Sequence, residues 1–457
     1  MSGRYNGNPR EDEPAMIVAL LGLLLLQSET VTTEHFEIVS SYRESAYVRE
    51  VAAALESGYD AMAGTLGKKP AEPKRYRIHL HAKLDEYQAK DRDLNKGRFA
   101  ANWAFSHRDT GESYLALSPR SGVPLLDRTR AVFRHEAFHL MVYRHWPEID
   151  RSPAWLHEGM CERAAEQADR RGETEPAAVS INFAESVHVA TAMMERKRFI
   201  PLAALLTSDS SDHKDGTVRT TWYSEAWLLV KYLAEKRPEV LKKILEGISK
   251  LTAAETTPVK VRDLLVEGAG EPLDKVEAAW IAWIESLKPA PWWRISGDWR
   301  MTADGVEGAA YWSQSAYLLS AEKIRAGSYR IVAEAKVESL GAGQVDLSLS
   351  PSAAMDLGDD RVVALVSRGG YANILVCRKG KWTFMATEIL DPARLPADKW
   401  VRLELEVNDR TVRLKLDGFK AVEHTFADKL DELHDVRWGV GNYDSWTRFR
   451  AMEARKN

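Results

Sequence analysis

The sequence predicts two unlike globular domains, an α+β domain followed by an all-β sandwich. Up to about residue 287, strand-like alternation at 35–40 and 75–81 is mixed with long helix-like segments. Beyond the run Lys288-Pro289-Ala290-Pro291, which stops a helix, short alternating segments recur between turn residues. A chain of 457 residues also exceeds a single ordinary core, so it suggests two or three domains.

The composition narrows the class of protein. Charged residues make up 28% of the chain and hydrophobic residues 45%, which is typical of a globular protein. A formal net charge of −4 without an extended basic cluster gives no electrostatic footprint for nucleic acid. The two cysteines, Cys161 and Cys377, lie far apart and predict no disulfide framework. We expect Cys161 to be a small buried helix residue and not a ligand.

Residues 1–30 form a signal-like or anchoring segment that contains an apolar run at 15–26. The length of this run indicates which of the two it is. A membrane-spanning helix needs roughly 20 apolar residues, whereas this run has the length of the apolar core of a signal peptide. We therefore expect export to the periplasm or medium and no stable membrane span. Acidic residues before the run and the absence of a clear Ala-x-Ala cleavage site leave a buried or anchoring helix, and a cytoplasmic protein, as alternatives.

The first domain, predicted for residues 31–287, alternates strands and helices. Its strands are expected at 35–40, 75–81 and 112–118, and its first helix at 45–66. A second helix is expected from Asp127, as its N-cap, to about His145, and a third follows Pro153. Later helices are predicted at 184–195, 222–236, 239–250 and 273–287.

The motif His135-Glu136-Ala137-Phe138-His139 lies on the second of these helices. Side chains at positions i and i+4 leave one face of a helix, so His135 and His139 can bind one metal ion. Glu158 follows after eighteen intervening residues and can add a carboxylate from the third helix. Two histidines, one glutamate and a water are typical of a catalytic zinc site. The alternative is a solvated helix face with unrelated polar residues.

The motif, the eighteen-residue gap and the run Trp155-Leu156-His157-Glu158-Gly159 resemble the gluzincin metallopeptidases of the peptidase MA group. The resemblance implies a zincin-like domain in which His135, His139 and Glu158 bind Zn²⁺ and Glu136 is the general base. It also places Glu162 where related enzymes hold a carboxylate against a ligating imidazole. The alternative for Glu162 is a solvated helix residue.

Two further features concern the substrate. Tyr223 resembles the tyrosine with which related aminopeptidases stabilise the oxyanion, although an aromatic on an amphipathic helix also fits a core. His188 and His213 are lone histidines for which core or surface positions are favoured.

The Gly-x-Met-Glu-Asn element that binds a free amino terminus in those aminopeptidases is missing, so we expect an endopeptidase. The resemblance also implies that the strand at 112–118 is an edge strand that can pair with an extended peptide, with an ordinary sheet strand as the alternative.

A linker is expected at 288–297 and a β-sandwich at 298–457. Its strands are predicted at 328–337, 344–350, 362–366, 372–377, 400–407, 411–416, 436–441 and 447–452. The strands near Trp400 and Val412 and the run Gly439-Val440-Gly441 resemble concanavalin-like lectin and glucanase jelly rolls. This resemblance implies carbohydrate binding through exposed tryptophans, against core packing as the alternative. The candidates are Trp292, Trp293, Trp312, Trp382, Trp438 and Trp446.

The sequence therefore favours zinc-dependent hydrolysis of a peptide or protein substrate, with the β domain directing the enzyme to glycan-bearing material. The alternative is a non-catalytic carbohydrate-binding or surface interaction protein with a structural or vestigial metal site.

Overall fold

The structure is a computed structural model. It describes residues 29–42, 45–65, 75–99, 103–116, 126–169, 181–195, 197–213, 216–287, 291–310, 315–338, 344–350, 361–378, 381–427, 435–443 and 445–456. The apolar run at 15–26 lies outside these ranges. Within them, no helix combines the length and the apolar character needed to cross a membrane. Both cysteines are buried and unbridged.

The first domain combines a five-stranded sheet with helices, as the mixed pattern predicts. Its strands are β1 (Glu29–Thr32), β2 (Phe36–Ser40), β3 (Tyr76–His81), β4 (Ala104–His107) and β5 (Glu112–Ala116). Its helices are α1 (Ser45–Thr65), α2 (Leu84–Asn95), α3 (Asp127–His145), α4 (Pro147–Asp150), α5 (Ala154–Asp169), α6 (Ile181–Glu195), α7 (Leu202–Leu205), α8 (Gly216–Lys236), α9 (Pro238–Ser249), α10 (Pro258–Ala269) and α11 (Leu273–Ser286).

The strand order in this sheet is β1-β2-β3-β5-β4. Strands β2, β3 and β5 run parallel, while β1 and β4 pair antiparallel at the two edges. The edge position that the resemblance implied for the 112–118 strand is therefore wrong, and the alternative of an ordinary sheet strand is confirmed. The strand covers Glu112–Ala116 and lies inside the sheet, because the short strand β4, which the sequence pattern does not reveal, pairs along its outer side.

The helices α1, α3 and α5 pack on one another, and α8 packs against α5. Alternate side chains along β2 and β3 point toward these helices. They include Phe36, Ile38, Ile78 and Leu80, which belong to the core that the helices share with the sheet. Burial of such side chains contributes about 1.5–3 kcal/mol each. This core holds the two helices that carry the motif residues side by side.

The second domain consists of two antiparallel seven-stranded sheets. Its strands are β6 (Trp292–Ser296), β7 (Asp298–Met301), β8 (Gly305–Ala309), β9 (Ser315–Arg325), β10 (Ser328–Val337), β11 (Gln344–Ser350), β12 (Arg361–Ser367), β13 (Tyr371–Arg378), β14 (Lys381–Ile389), β15 (Val401–Asn408), β16 (Thr411–Leu416), β17 (Phe419–Thr425), β18 (Asp435–Tyr443) and β19 (Trp446–Lys456). The orders are β17-β16-β15-β10-β19-β8-β7 and β14-β13-β12-β11-β18-β9-β6.

The two sheets pack face to face around one core, as expected for a sandwich. Alternate residues point inward, for example Leu403 and Leu405 on β15 and Leu347 and Leu349 on β11. Several consecutive strands lie in different sheets, for example β9 and β10, and β18 and β19. The all-β prediction for the C-terminal part is confirmed by this arrangement.

The segment expected to be a linker, 288–297, contains strand β6. This strand pairs with β9 and also contacts helix α6 of the first domain. Strand β7 likewise contacts α3. The two domains therefore meet along a packed interface that includes the helix carrying the motif.

Candidate metal centre

Helix α3 brings the two motif histidines to one point. Their positions one helical turn apart place the Nε2 atoms of His135 and His139 3.0 Å from each other. The sequence predicts Asp127 as the N-cap, but the helix already includes Asp127, and Leu126 in the cap position makes no side-chain bond. Asp298 of the β domain caps the helix instead, since its carboxylate accepts hydrogen bonds from the backbone N–H groups of Arg128 and Thr129.

Helix α5 adds Glu158 to the same point. Its Oε2 atom lies 3.2 Å from Nε2 of His135 and 3.6 Å from Nε2 of His139. A tetrahedral ion bound at 2.0–2.1 Å would hold its ligand atoms roughly 3.3 Å apart, close to these three distances. The donors are two imidazole nitrogens and one carboxylate oxygen, the chemistry that zinc takes at catalytic sites. The residues present therefore fit a zinc ion.

The outward nitrogens of both histidines have partners. Oε1 of Glu162 lies 3.3 Å from Nδ1 of His135, at ion-pair distance although outside hydrogen-bond geometry. His157 places its Nε2 3.0 Å from Nδ1 of His139. Burial, and then the neighbouring His139, lower the pKa of His157 to about 3, so this ring is neutral and its Nε2 atom can accept a hydrogen bond from Nδ1 of His139. Such partners fix the ring orientation of a ligating histidine.

Cys161 also lies at this centre. Its buried thiol is 3.4 Å from Nδ1 of His139, and His135, His139 and Cys161 can each place a ligand atom within 4.8 Å of the other two. Burial, reinforced by the charge of Glu158, raises the pKa of the thiol well above its ordinary value. Glu158 reaches the Nε2 atoms of both histidines, so these distances favour Glu158 as the third ligand.

The ion pairs at the centre shift the titration of both partners. Burial alone would lower the pKa of His135, but the charges of Glu162 and Glu158 outweigh it and raise that pKa well above its usual range. Burial would raise the pKa of Glu158, but the two histidines hold it well below the ordinary value. The centre therefore favours a negative carboxylate beside positive charge, whether that charge is a proton or a metal ion.

Glu136 points toward the sheet edge, where strand β4 holds it. The hydroxyl of Ser106 lies 2.7 Å from Oε2 of Glu136 and 3.0 Å from its backbone oxygen. Ser113 on β5 lies 2.6 Å from Ser106 and donates to the backbone oxygen of Glu136 at 3.2 Å. Neither serine stands in a sequence pattern that marks it, so the sequence gives no signal for this pair.

A cleft with a volume of about 390 Å³ opens beside the centre. It is lined by His135, Glu136 and Glu162 of the predicted site, by Tyr223 on α8, and by Arg128 and Arg294. The hydroxyl of Tyr223 accepts a hydrogen bond from Ser210 at 3.3 Å. Burial, and then the charge of Glu158, raise the pKa of Tyr223 well above its ordinary value, so the hydroxyl keeps its proton.

The structure does not bring every histidine considered to the cleft. His188 is buried and stacks on Trp293 of the β domain, with ring centroids 5.1 Å apart. His213 also does not line the cleft as far as the structure describes it. The core or surface positions favoured for these two histidines agree with this placement.

A second concave site lies on the outer face of the sheet that contains β12 and β13. Its volume is about 520 Å³, and its lining includes Tyr317, Tyr371, Asn373, Trp382, Phe384 and Tyr443. Trp382 is 43% exposed and Phe384 65%. The other described tryptophan candidates are buried or half-buried, namely Trp292, Trp293, Trp438 and Trp446, while Trp312 lies outside the described residues.

Comparisons with known proteins add a partial family match. Residues 129–255, which include both helices of the centre, match a family described as "Protein of unknown function (DUF1570)". None of the curated proteins matches the chain.

The C-terminal part is similar to several solved structures. A carbohydrate-binding module from Bacillus subtilis is 14% identical, over 36% of this chain and 96% of its own, with a TM-score of 0.32. Sheep galectin-11 is 9% identical over 32% and 99%, with a TM-score of 0.24. A galectin-like protein of unknown function from Bacillus subtilis is 10% identical over 36% and 89%, with a TM-score of 0.29. At these scores the sandwich assignment rests on the strand order described above.

Proposed function

We propose that the chain is a zinc-dependent hydrolase of peptide bonds, of the gluzincin type. One observation carries this proposal: the convergence of His135, His139 and Glu158 at ligand-to-ligand distances of 3.0–3.6 Å, with Glu136 beside them at the edge of a cleft. When bound, zinc lowers the pKa of a coordinated water and polarises the scissile carbonyl.

The residues of the chain supply the remaining chemistry. Glu136 accepts a proton from the attacking water and delivers it to the leaving amine. The protonated hydroxyl of Tyr223 donates to the oxygen that gains negative charge on the scissile carbonyl. Glu162 and His157 hold the two ligating imidazoles in orientation.

The position of β4 supports an extended peptide as the substrate. It is the outermost strand of the described sheet, it contacts helix α3, and Ala104 at its start lines the cleft. A peptide that pairs with an edge strand gains backbone hydrogen bonds with little demand on its sequence. The pairing strand in this proposal is β4, in place of the interior strand β5.

The test uses the full-length protein and a peptide library read by mass spectrometry, with and without a chelator. We expect chelator-sensitive internal cleavage and about one zinc ion per chain by elemental analysis. Glu136→Gln should keep the zinc and lose roughly 10²–10⁴-fold in rate, the usual contribution of a general base. The matched control is Glu267→Gln at an exposed position of α10, which should behave as wild type.

Two results would contradict the proposal. Full turnover by the Glu136→Gln variant with its zinc in place would show that Glu136 is not the general base. Zinc binding without chelator-sensitive cleavage of any peptide would favour the alternative, a structural or vestigial metal site in a binding protein.

A second candidate function is carbohydrate binding by the concave site on the β domain. The exposed rings of Trp382 and Phe384 beside the polar Asn373 support it, because such pockets combine apolar faces with a few polar groups. A glycan array probed with the full-length protein tests this function. Trp382→Ala should abolish any binding that is found, while Phe419→Ala, which changes a more exposed aromatic outside the site, should not.

A further inference from the structure

The motif helix is capped by a residue of the other domain. The two carboxylate oxygens of Asp298, at the start of β7, accept from the backbone N–H groups of Arg128 at 2.8 Å and Thr129 at 2.9 Å. The first N–H groups of a helix have no partner within it, and negative charge at this end is favoured by the helix dipole. Asp298 is only 2% exposed, so water does not replace it in this role.

The capped end is close to the metal centre along the helix. His135 follows Thr129 by six residues, which is roughly 9 Å at 1.5 Å per residue. Fraying or a change of direction in the first turn of α3 therefore moves His135 and Glu136 relative to Glu158, which stands on a different helix.

A second residue of the β domain forms part of the cleft wall. Arg294 on β6 pairs with Glu185 on α6, and both side chains line the cleft together with His135 and Glu136. The two side chains are 10% and 11% exposed. Arg294 also donates to the backbone oxygen of Gly297 at 3.1 Å, which ties it to its own domain. Next to it, Trp293 stacks on His188 of α6.

We propose that the β domain completes the metal-site cleft, with Asp298 and Arg294 as positioning residues, so that the centre depends on both domains. This inference rests on the proposed metal centre and goes beyond the targeting role expected for the β domain. Asp298 sets the start of the helix that carries both histidines. Arg294 holds Glu185, and with it α6, in the wall of the cleft. The predicted consequence is that a change in the β domain alters metal binding.

The experiment titrates the metal-free full-length protein with Co²⁺, whose visible absorption reports both the affinity and the ligand geometry. Asp298→Ala should bind Co²⁺ about fivefold more weakly and with an altered spectrum, since loss of a helix cap costs about 1 kcal/mol. Asp298→Asn should recover part of both properties, because its single amide oxygen can still accept from one of the two N–H groups. Asp435→Ala, which removes an exposed ion-paired carboxylate of the same domain, is the matched control and should match wild type.

Arg294→Lys covers the case in which Asp298→Ala does not fold. Lysine keeps the charge near Glu185 but lacks the planar fork that also reaches Gly297. We expect a lower kcat with a changed Co²⁺ spectrum and an unchanged melting temperature of the metal-free protein.

The outcomes separate the two proposals. Wild-type affinity and spectrum in both the Asp298 and the Arg294 variants would overturn the dependence on the β domain and leave the metal centre standing. Failure of the wild-type protein to take up Co²⁺ would overturn the metal centre and this inference with it. Equal weakening in the Asp435→Ala control would mean general destabilisation and would also overturn the inference.

Discussion

The hydroxyl of Ser106 lies 2.7 Å from Oε2 of Glu136. This contact joins the outermost strand of the sheet to the residue proposed as general base. Ser106 also lies 2.6 Å from Ser113, which donates to the backbone oxygen of Glu136. Because each hydroxyl has one hydrogen, Ser113 can hold the helix backbone while Ser106 orients the carboxylate.

Ser106→Ala should therefore slow hydrolysis without loss of zinc. A hydrogen bond to a charged group contributes about 1.5–3 kcal/mol, so we expect kcat to fall at least about tenfold. Steady-state kinetics on a cleaved library peptide, with zinc content measured in parallel, check the result. Ser328→Ala, at a half-buried position of the β domain where the hydroxyl donates to Asn408, is the control. Unchanged kcat in the Ser106 variant would mean that other contacts orient Glu136.

Tyr223→Phe should reduce kcat with little change in KM. The side chain lines the cleft and keeps its proton, so it can stabilise developing negative charge on the substrate. Loss of a single donor of this kind costs about 2.7–4 kcal/mol, or roughly 10²–10³-fold in rate. Tyr371→Phe in the outer site of the β domain is the control. A rise in KM alone would instead assign Tyr223 to substrate binding.

The sequence reveals the parts of this centre that follow from local geometry. His135 and His139 share a helix face because of the 3.6-residue period, and the Trp-Leu-x-Glu-Gly run marks the helix that carries Glu158. The contacts of Ser106 and Asp298 with the motif helix could not be predicted in this way. They reach the motif helix through a sheet pairing and a domain interface, and neither has a fixed spacing from the histidines.

The same distinction holds for the fold. The periodicity predicts both ends of α1 and the C-terminal end of α8 to within one residue, whereas α8 begins six residues before its predicted start at 222. Helix α2 is rich in charged residues, and strand β4 has only four residues, so neither carries a pattern strong enough to predict. Strand β14 is exposed along most of its length and therefore lacks an alternating apolar face.

Gly159→Ala should disturb the packing that brings α8 beside Glu158. A Cβ atom at this position would lie 2.6 Å from the backbone oxygen of Ala226 and from Val230. Since a backbone carbonyl cannot turn away as a side chain can, the helices must separate, at a cost of about 1–3 kcal/mol in the free energy of unfolding.

Gly64→Ala is the matched control, because a Cβ atom on this helical glycine meets nothing within 4 Å. This change should be neutral or stabilise the protein by up to about 1 kcal/mol. Urea denaturation of both variants measures the difference, and equal stabilities would mean that α5 and α8 do not pack as closely as described.

Asp346→Asn should remove a pH dependence of stability. Asp346 is fully buried on β11, and neither carboxylate oxygen has a hydrogen-bond partner among the described residues. Burial raises its pKa from 3.8 to about 8, although the charge of Arg361 opposes the shift. Between these pH values the folded protein keeps a proton that the unfolded chain has released, so the free energy of unfolding falls as the pH rises and levels off above about pH 8.

The amide of asparagine resembles the neutral acid and does not titrate, so this contribution should be absent in Asp346→Asn. At pH 9 we expect the variant to exceed wild type by more than about 1 kcal/mol in the free energy of unfolding, because wild type must then bury a charge. Urea denaturation at several pH values from 5 to about 9 measures the slope, with the exposed Asp304→Asn as control. Parallel pH profiles for wild type and Asp346→Asn would show that the folded protein holds Asp346 ionised over this pH range, which would contradict the prediction.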